Sequence, residues 1–262
     1  MRRYFISDLH LSDKRLDLIR AFVLLIEQIK KTHDQPTELY ILGDFYEAWI
    51  GDDYKPEWNK PIIESLVSLN TSHIPVFIMH GNRDFLLGKA WLQQTHASLL
   101  TEHSLVYAEN QSPILLSHGD EYCTADVEYQ SFRAQVRQPE WQETVLSMPL
   151  ANRLALAEQL RNDSKSMSSD KTNDIMDVTE TEIINQLNRH QCKVCIHGHT
   201  HKPCLHKELN YKRLVLGDWD QDIWVAILED NKLQQYKADI KTMNNEDDWA
   251  LSNLCKMHSL II

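Results

Sequence analysis

No stretch of this chain stays apolar for the roughly 20 residues that a membrane-spanning helix requires, so no span is expected. Cysteine is sparse. There are five, an odd number with no framework spacing, which excludes a disulfide-stapled scaffold and fits a reducing compartment. Positive charge is also short: 27 Lys and Arg against 38 Asp and Glu leave a net charge of −11. That argues against broad nucleic-acid binding, which needs a basic face. The opening "MRRYFISDLH" reaches Asp8 and His10 too early for a signal peptide. The expectation is a cytoplasmic protein, at most peripheral to a membrane. No internal repeat, low-complexity tract or linker stands out. What remains is 262 residues with 42% hydrophobic and 25% charged content, ordinary values for a globular protein that can bury its own core.

Seven short apolar runs read as buried strands: "RYFIS" (3–7), "ELYIL" (38–42), "PVFIM" (75–79), "PILLS" (113–117), "KVCIH" (193–197), "RLVLG" (213–217) and "WVAIL" (224–228). Helical patterns separate the early ones. Residues 17–31 place Leu18, Phe22, Leu25, Ile26 and Ile29 on one face, and residues 60–70 repeat this with Ile62, Leu66 and Leu69. Alternating strand and helix predicts an α/β layered fold, with β-sheets flanked by helices. The middle differs. Residues 149–161 put Leu150, Leu154, Ala157 and Leu160 at helical spacing, 162–174 read as a polar loop, and "IMDVTETEIINQLNRH" (175–190) resumes a helix that Thr179 could cap, with Glu182 three residues later. Residues 123–190 therefore read as a mostly helical insert between core segments 1–122 and 191–262.

Each early strand is followed by a residue able to bind a metal, near a glycine. Asp8 and His10 follow the first and Gly43-Asp44 the second. His80-Gly81-Asn82-Arg83-Asp84 follows the third, His118-Gly119-Asp120 the next, and His197-Gly198-His199-Thr200-His201 the last of the series. Ligands of open α/β sheets bind at the carboxyl ends of strands, so these five ends can converge. Carboxylates, imidazoles and an amide oxygen suit divalent ions such as Mn²⁺, Fe²⁺ or Zn²⁺, and a pair of such ions can clamp a phosphate. Each piece alone is common by chance; the ordered series D-x-H, G-D, G-N-x-D, H-G, G-H-x-H is not.

This series resembles the calcineurin-like metallophosphoesterases. The resemblance implies a metallophosphoesterase core and a two-metal centre. Asp8, His10 and His201 would hold one ion, Asn82, His118 and His199 the other, and Asp44 would bridge them. His197 is no ligand in that pattern. "GDFYEAWIGDD" (43–53), "HGNRDFLLG" (80–88), "HGDEYCTADVEYQSFR" (118–133) and "IMDV" (175–178) narrow it further. Together they are similar to the UDP-2,3-diacylglucosamine hydrolase family of lipid A biosynthesis, across most of the chain.

That resemblance implies cleavage of a UDP-linked diacyl glucosamine lipid with two Mn²⁺ ions, on the cytoplasmic face of the inner membrane. It implies no nucleic acid and no protein partner. Asp126, Ser164, Ser168, Lys171 and His199 fall at positions that contact substrate, together with Asn82 and Arg83; Tyr129 and Arg161 join them. Asn82, Arg83 and His199 are the expected catalytic residues. The insert's leucines, with Phe132, Val136, Trp141, Val145 and Met148, offer apolar walls for a lipid, although simple packing explains most such positions.

Two other readings compete. A different metallophosphoesterase, a nuclease or cyclic-nucleotide phosphodiesterase, is disfavoured by the charge and the leucine-bearing insert. A metal-free binding module on a decayed core predicts missing ligands, whereas all seven positions carry ligand-competent side chains. Among weaker features, Cys192 and Cys195 form a C-x-x-C that reads as buried packing. Asp52 and Asp53 read as surface turn residues. Glu47 reads as a brace or a helix cap, and Asp84 as an acceptor that orients a neighbour or as a simple turn carboxylate. The apolar residues after Trp249 read as a docked or partly disordered terminus.

Overall fold

The structure is a computed structural model in which residues 1–170, 177–245 and 249–262 are described, residues 164–170 and 245 by backbone alone. The chain is α/β. Two mixed sheets stack face to face with helices on both outer faces. The first sheet contains β1 (Arg2–Ile6), β2 (Thr37–Leu42), β3 (Val76–Met79), β4 (Ser98–Leu99), β10 (Asp222–Glu229), β11 (Lys232–Asp239) and β12 (Cys255–Ile261), in the order β12-β11-β10-β1-β2-β3-β4. The second contains β5 (Ser104–Tyr107), β6 (Pro113–Leu116), β7 (Val194–His197), β8 (Cys204–Lys207) and β9 (Lys212–Val215), in the order β5-β6-β7-β9-β8.

Side-chain alternation builds these layers. Along β1, β2 and β3, Tyr4, Ile6, Leu39, Ile41, Val76 and Ile78 face one way, and meet α1 (Leu16–Lys31) and α2 (Lys60–Thr71). Phe5, Tyr40, Leu42 and Met79 face the other way and pack on Ile114, Leu116, Val194 and Ile196 of the second sheet. Strands buried on both faces read as continuous apolar runs, which is why the sequence displays them. On the outer side of the second sheet, Leu115 and Cys195 meet Ile183 and Leu187 of α7 (Glu180–Arg189). Cys192 and Cys195 are both buried free thiols within that packing.

The parallel pairs β1–β2, β2–β3 and β6–β7 point their carboxyl ends the same way within each sheet. Above those ends lie α4 (Val127–Val136), α5 (Pro139–Leu146) and α6 (Leu150–Asp170). Asp126 caps α4 by accepting the Tyr129 N–H at 3.1 Å. Pro139 opens α5 at a position where its missing N–H costs nothing.

Several sequence expectations need correction. Residues 162–170 are not loop: α6 runs on to Asp170, and no Gly or Pro lies between Pro149 and Gly198 to stop it. The rest of the expected loop, residues 171–174, lies outside the described residues. Along α6, Arg153, Leu156, Ala157 and Leu160 form the inward face, while Leu150 and Leu154 are exposed. The second insert helix starts later than expected: residues 177–179 are not helical, 175 and 176 lie outside the described residues, and α7 begins at Glu180. Thr179 precedes it but does not cap it with its side chain, and its hydroxyl donates to the Tyr122 carbonyl at 3.1 Å. The terminus is docked, the first of its two expected states, and it docks as a strand: β12 pairs with β11, with Trp249 and Leu260 buried. Strands β4, β5, β8, β11 and β12 had no expectation at all. β10 and β11 are joined by Asp230 and Asn231, both with positive φ, as a two-residue hairpin turn requires.

Candidate metal centre

The loops after β1, β2, β3, β6 and β7 meet at one place. Gly81 and Gly198 permit the approach. A Cβ on Gly81 would lie 2.1 Å from Asp44 Oδ1, and one on Gly198 2.1 Å from Asp8 Oδ2. Asp8, His10, Asp44, His199 and His201 all hold φ between 49° and 67°, a left-handed conformation uncommon for residues with a Cβ. Cross-loop hydrogen bonds enforce it: the Asp8 N–H donates to the Gly43 carbonyl and the His10 N–H to the Asp44 carbonyl, each at 3.1 Å.

The side chains then converge. Ligand atoms of Asp8, His10 and His201 lie within 4.8 Å of one another, as do those of Asp8, Asp44 and His118. Asn82 Oδ1 is 3.0 Å from His118 Nε2 and 2.9 Å from His199 Nδ1. His10 Nε2 and His201 Nε2 face each other at 3.2 Å. The outward ring nitrogens face carbonyl or carboxylate oxygens: His118 Nδ1 donates to the Leu42 carbonyl at 2.8 Å, His201 Nδ1 lies 3.3 Å from Asp218, and His10 Nδ1 lies 3.3 Å from Glu47 without a hydrogen bond to it. Such partners fix ring orientation and turn the other nitrogen inward. Lone-pair-bearing atoms thus face one another across short gaps, and only a proton or a cation between them relieves the repulsion.

Electrostatics agree with a cation. The His118 ring is pushed up to about 9. Burial opposes this, but Asp44, Asp8 and Asp120 outweigh it. His201 is also raised to about 9, against burial, by its contact with Asp8 and the charge of Asp218. Burial lowers His10 and His199 to about 4. Burial would raise Asp8, yet the His201 hydrogen bond and the charges of His118, His201 and His10 hold it well below the usual carboxylate range. Protons on His118 and His201 stand where a metal would bring positive charge. The donors are all nitrogen or oxygen, as hard and borderline divalent ions require.

Arg83 borders the cluster. Its N–H donates to Asp44 Oδ1 at 2.9 Å, and its guanidinium lies 3.6 Å from both Asp44 and Glu47. From Asn82 and Arg83 a cavity of about 320 Å³ extends beneath the helices, lined by Trp49, Ile50, Phe85, Phe132, Trp141 and Leu160 among others. Asp126, Tyr129 and Arg161 line it too. Of the remaining expected contacts, Ser164 and Ser168 have side chains outside the described residues, and Lys171 lies outside them altogether. Val136 and Met148 pack in the insert without lining the cavity.

His197 stays away from the cluster, fully buried, with Nδ1 2.9 Å from the Gly198 carbonyl and Nε2 3.2 Å from Arg213. Asp52 and Asp53 are more than turn residues. Asp52 accepts the N–H groups of Gly88, Ala90 and Trp91, so it serves the start of α3 (Lys89–Thr95). Asp53 pairs with Arg153, a buried residue of α6. Sequence reasoning missed Asp218. It follows a glycine at the end of β9, the same Gly-Asp signal that marked Asp44. A third acidic group, Glu102, Asp120 and Glu121, already holds a cation, since Arg133 pairs with Glu102 and Asp120.

Comparison with known proteins points the same way. The family model for calcineurin-like phosphoesterases matches residues 1–203. A UDP-2,3-diacylglucosamine hydrolase of Cellvibrio japonicus is 43% identical over 228 residues, 86% of this chain and 93% of that protein. The protein of the same name from Marinobacter nauticus is 42% identical over 228 residues, 86% of this chain and 92% of its own length. Among solved structures, one described as GAP50, the anchor in the inner membrane complex of Plasmodium, superposes with a TM-score of 0.50 at 12% identity. That superposition covers 98% of this chain and 88% of that one, and it speaks to the fold alone.

Proposed function

The chain belongs to the calcineurin-like phosphoesterase family, and on that premise we propose that it hydrolyses the pyrophosphate of UDP-2,3-diacylglucosamine. Water attacks the α-phosphorus, and UMP and 2,3-diacylglucosamine 1-phosphate are released, a step of lipid A biosynthesis. The observation that carries this reading is the shared wall of two sites. Asn82 and Arg83 belong both to the ligand cluster and to the apolar cavity. A substrate with a phosphate at one end and acyl chains at the other needs that adjacency.

Two Mn²⁺ ions are the proposed cofactor, one with Asp8, His10 and His201 and the other with Asn82, His118 and His199, with Asp44 between them. What supports this is the clustering of their donor atoms and the inward turn of each ring. When bound, the ions supply Lewis-acid polarisation of the phosphate and acidify water. The chain's own residues do the rest. Asn82 and His199 position the reacting end, and Arg83 offers two charge-assisted hydrogen bonds to phosphate oxygens. A guanidinium stays charged near neutral pH, so Arg83 stabilises charge and donates no proton. We assign Asp126, Tyr129 and Arg161 to the head group, supported by their position in the cavity lining; Ser164, Ser168 and Lys171 are assigned to it by family resemblance. Phe85, Phe132, Trp141 and Leu160 exclude water from the acyl region.

No helix among the described residues is long and apolar enough to cross a membrane. We place the protein in the cytoplasm, peripheral to the inner membrane, with residues 123–190 as a cap over the lipid. The test is a product assay. Purified protein with Mn²⁺ and UDP-2,3-diacylglucosamine should release UMP, and chelator or His10→Ala should abolish it with the fold retained. Absence of UMP from the wild-type protein refutes the reading.

A further inference from the structure

We propose that Glu47 is a positioning residue that joins the cap to the metal-ligand cluster and holds two arginines over the reacting phosphate. The inference rests on the hydrolase reading above. Glu47 follows β2, and its N–H donates to the Leu11 carbonyl at 3.1 Å, which fixes its backbone against the His10 loop. Its side chain is 19% exposed. One oxygen, Oε2, lies 3.3 Å from His10 Nδ1. The other, Oε1, lies 3.6 Å from an Arg83 terminal nitrogen and pairs with Arg161 of α6.

Three groups from three chain segments therefore share one carboxylate. His10 has its outer nitrogen beside a negative charge, which keeps Nε2 turned toward His201 and Asp8. Arg83 and Arg161 are like charges brought to one side of the cavity. Without an anion between them they repel, and each long side chain swings into solvent. Glu47 thus stands in the place of an anionic group and keeps both guanidiniums aimed at the space where a phosphate arrives. It also ties α6 to the site through Arg161, apart from the Arg153–Asp53 pair in the first turn of the same helix.

Glu47→Gln keeps the shape and removes the charge. Calorimetric titration of the metal-free protein with Mn²⁺ alone should show affinity reduced about tenfold, and kcat on the UDP-lipid should fall by about 10- to 100-fold, the range for partners of metal ligands. Melting temperature should stay within a few degrees of wild type. Combined with Arg161→Gln, the losses in kcat/KM should fall short of the product of the single losses by at least about fivefold, since both remove one interaction. Glu47→Asp, which keeps the charge but shortens its reach, should recover part of the Mn²⁺ affinity. Wild-type kcat and Mn²⁺ affinity in Glu47→Gln, or fully multiplicative losses, would overturn the proposal. If wild-type protein releases no UMP from the lipid, the function fails instead. The Mn²⁺ titration and the hydrolysis of bis(p-nitrophenyl) phosphate by the same variants still decide the role of Glu47.

Discussion

Asp84 offers the sharpest test of how the two central turns are held. It is fully buried. Its Oδ1 accepts the Gly81 N–H and its Oδ2 the Phe45 N–H, both at 2.8 Å, with the Tyr46 N–H at 3.5 Å. One carboxylate thus fastens the turn carrying Asn82 and Arg83 to the turn carrying Asp44. Asp84→Asn changes neither volume nor shape, but an amide has one oxygen, and its NH₂ must face one of the two N–H donors. The change removes one charge-assisted hydrogen bond, about 1.5–3 kcal/mol, and strands a buried N–H, about 1–3 kcal/mol. We expect destabilisation of about 3–5 kcal/mol by urea unfolding at unchanged m-value. At roughly 2–4 °C per kcal/mol for a chain of this size, the melting temperature drops by roughly 10 °C. The exposed Asp13→Asn serves as control and should stay within about 0.5 kcal/mol of wild type. An Asp84→Asn protein within about 1 kcal/mol of wild type would refute the reasoning, because the two turns would then be held by something else.

Arg83→His should keep divalent-ion affinity and lose most turnover, about 10²-fold, as for loss of one preorganised donor; unchanged kcat would make Arg83 positional only. Metal binding should release protons. His118 and His201 sit near 9 without metal, so both are protonated at pH 7.5, whereas His10 and His199, near 4, are already neutral. Raised values mean that apparent affinity climbs with pH up to about 9 and then levels. Calorimetry in two buffers of different ionisation enthalpy should count up to about two protons at pH 7.5, and no buffer dependence would contradict the assignment. Leu160→Gln should raise KM for the diacyl substrate roughly tenfold, matching about 1.5 kcal/mol of lost apolar contact, and leave hydrolysis of a water-soluble aryl diester unchanged. Equal effects on both substrates would remove Leu160 from the lipid wall.

The inner strands were legible because both of their faces are buried. β1, β2, β3, β6 and β7 are buried on both faces over most of their length, so "YFI", "LYIL", "VFIM", "ILL" and "VCI" stand out as apolar runs. β11, "KLQQYKAD", pairs with β10 and β12 and buries Leu233 and Gln235 on alternate positions, yet its polar content conceals it. β12 was hidden similarly, with three exposed residues at its start. The ligand cluster was legible for a different reason: metal-capable residues recur at strand ends, and strand ends in such sheets share a side. The supports were harder to see. Asp84, Glu47, Asp218 and the Leu42 carbonyl act through contacts between segments distant in sequence, and a carboxylate that accepts backbone N–H groups looks in sequence like any turn Asp. The inward face of α6 also misled. Leu150 and Leu154 sustain the helical spacing, but the cavity side is set by Arg153, whose buried guanidinium donates to the Ile50 carbonyl at 2.7 Å and so turns the helix.

The backbone at the cluster separates a functional arrangement from a merely well-packed one. Asp8, His10, Asp44, His199 and His201 adopt left-handed conformations, each costing about 1–2 kcal/mol for a residue with a Cβ. Asn or Gly at these positions would relieve that cost, and packing gains nothing from two histidines whose Nε2 atoms meet at 3.2 Å. Buried polar groups kept for stability bring their own donors and acceptors; here ring nitrogens face one another and the Asn82 oxygen, and are complementary only with a shared proton or a cation. Strain of this kind persists where surrounding contacts over-determine it and where it serves a site. The contacts are present, in the cross-loop hydrogen bonds and the Asp84 clasp, and they sit outside the cluster, while inside it the facing lone-pair atoms depend on a shared proton or a cation. That distribution, rigid at the rim and electrostatically incomplete at the centre, is what a protein-built cation site requires, and it follows from the geometry of these residues independently of any relative.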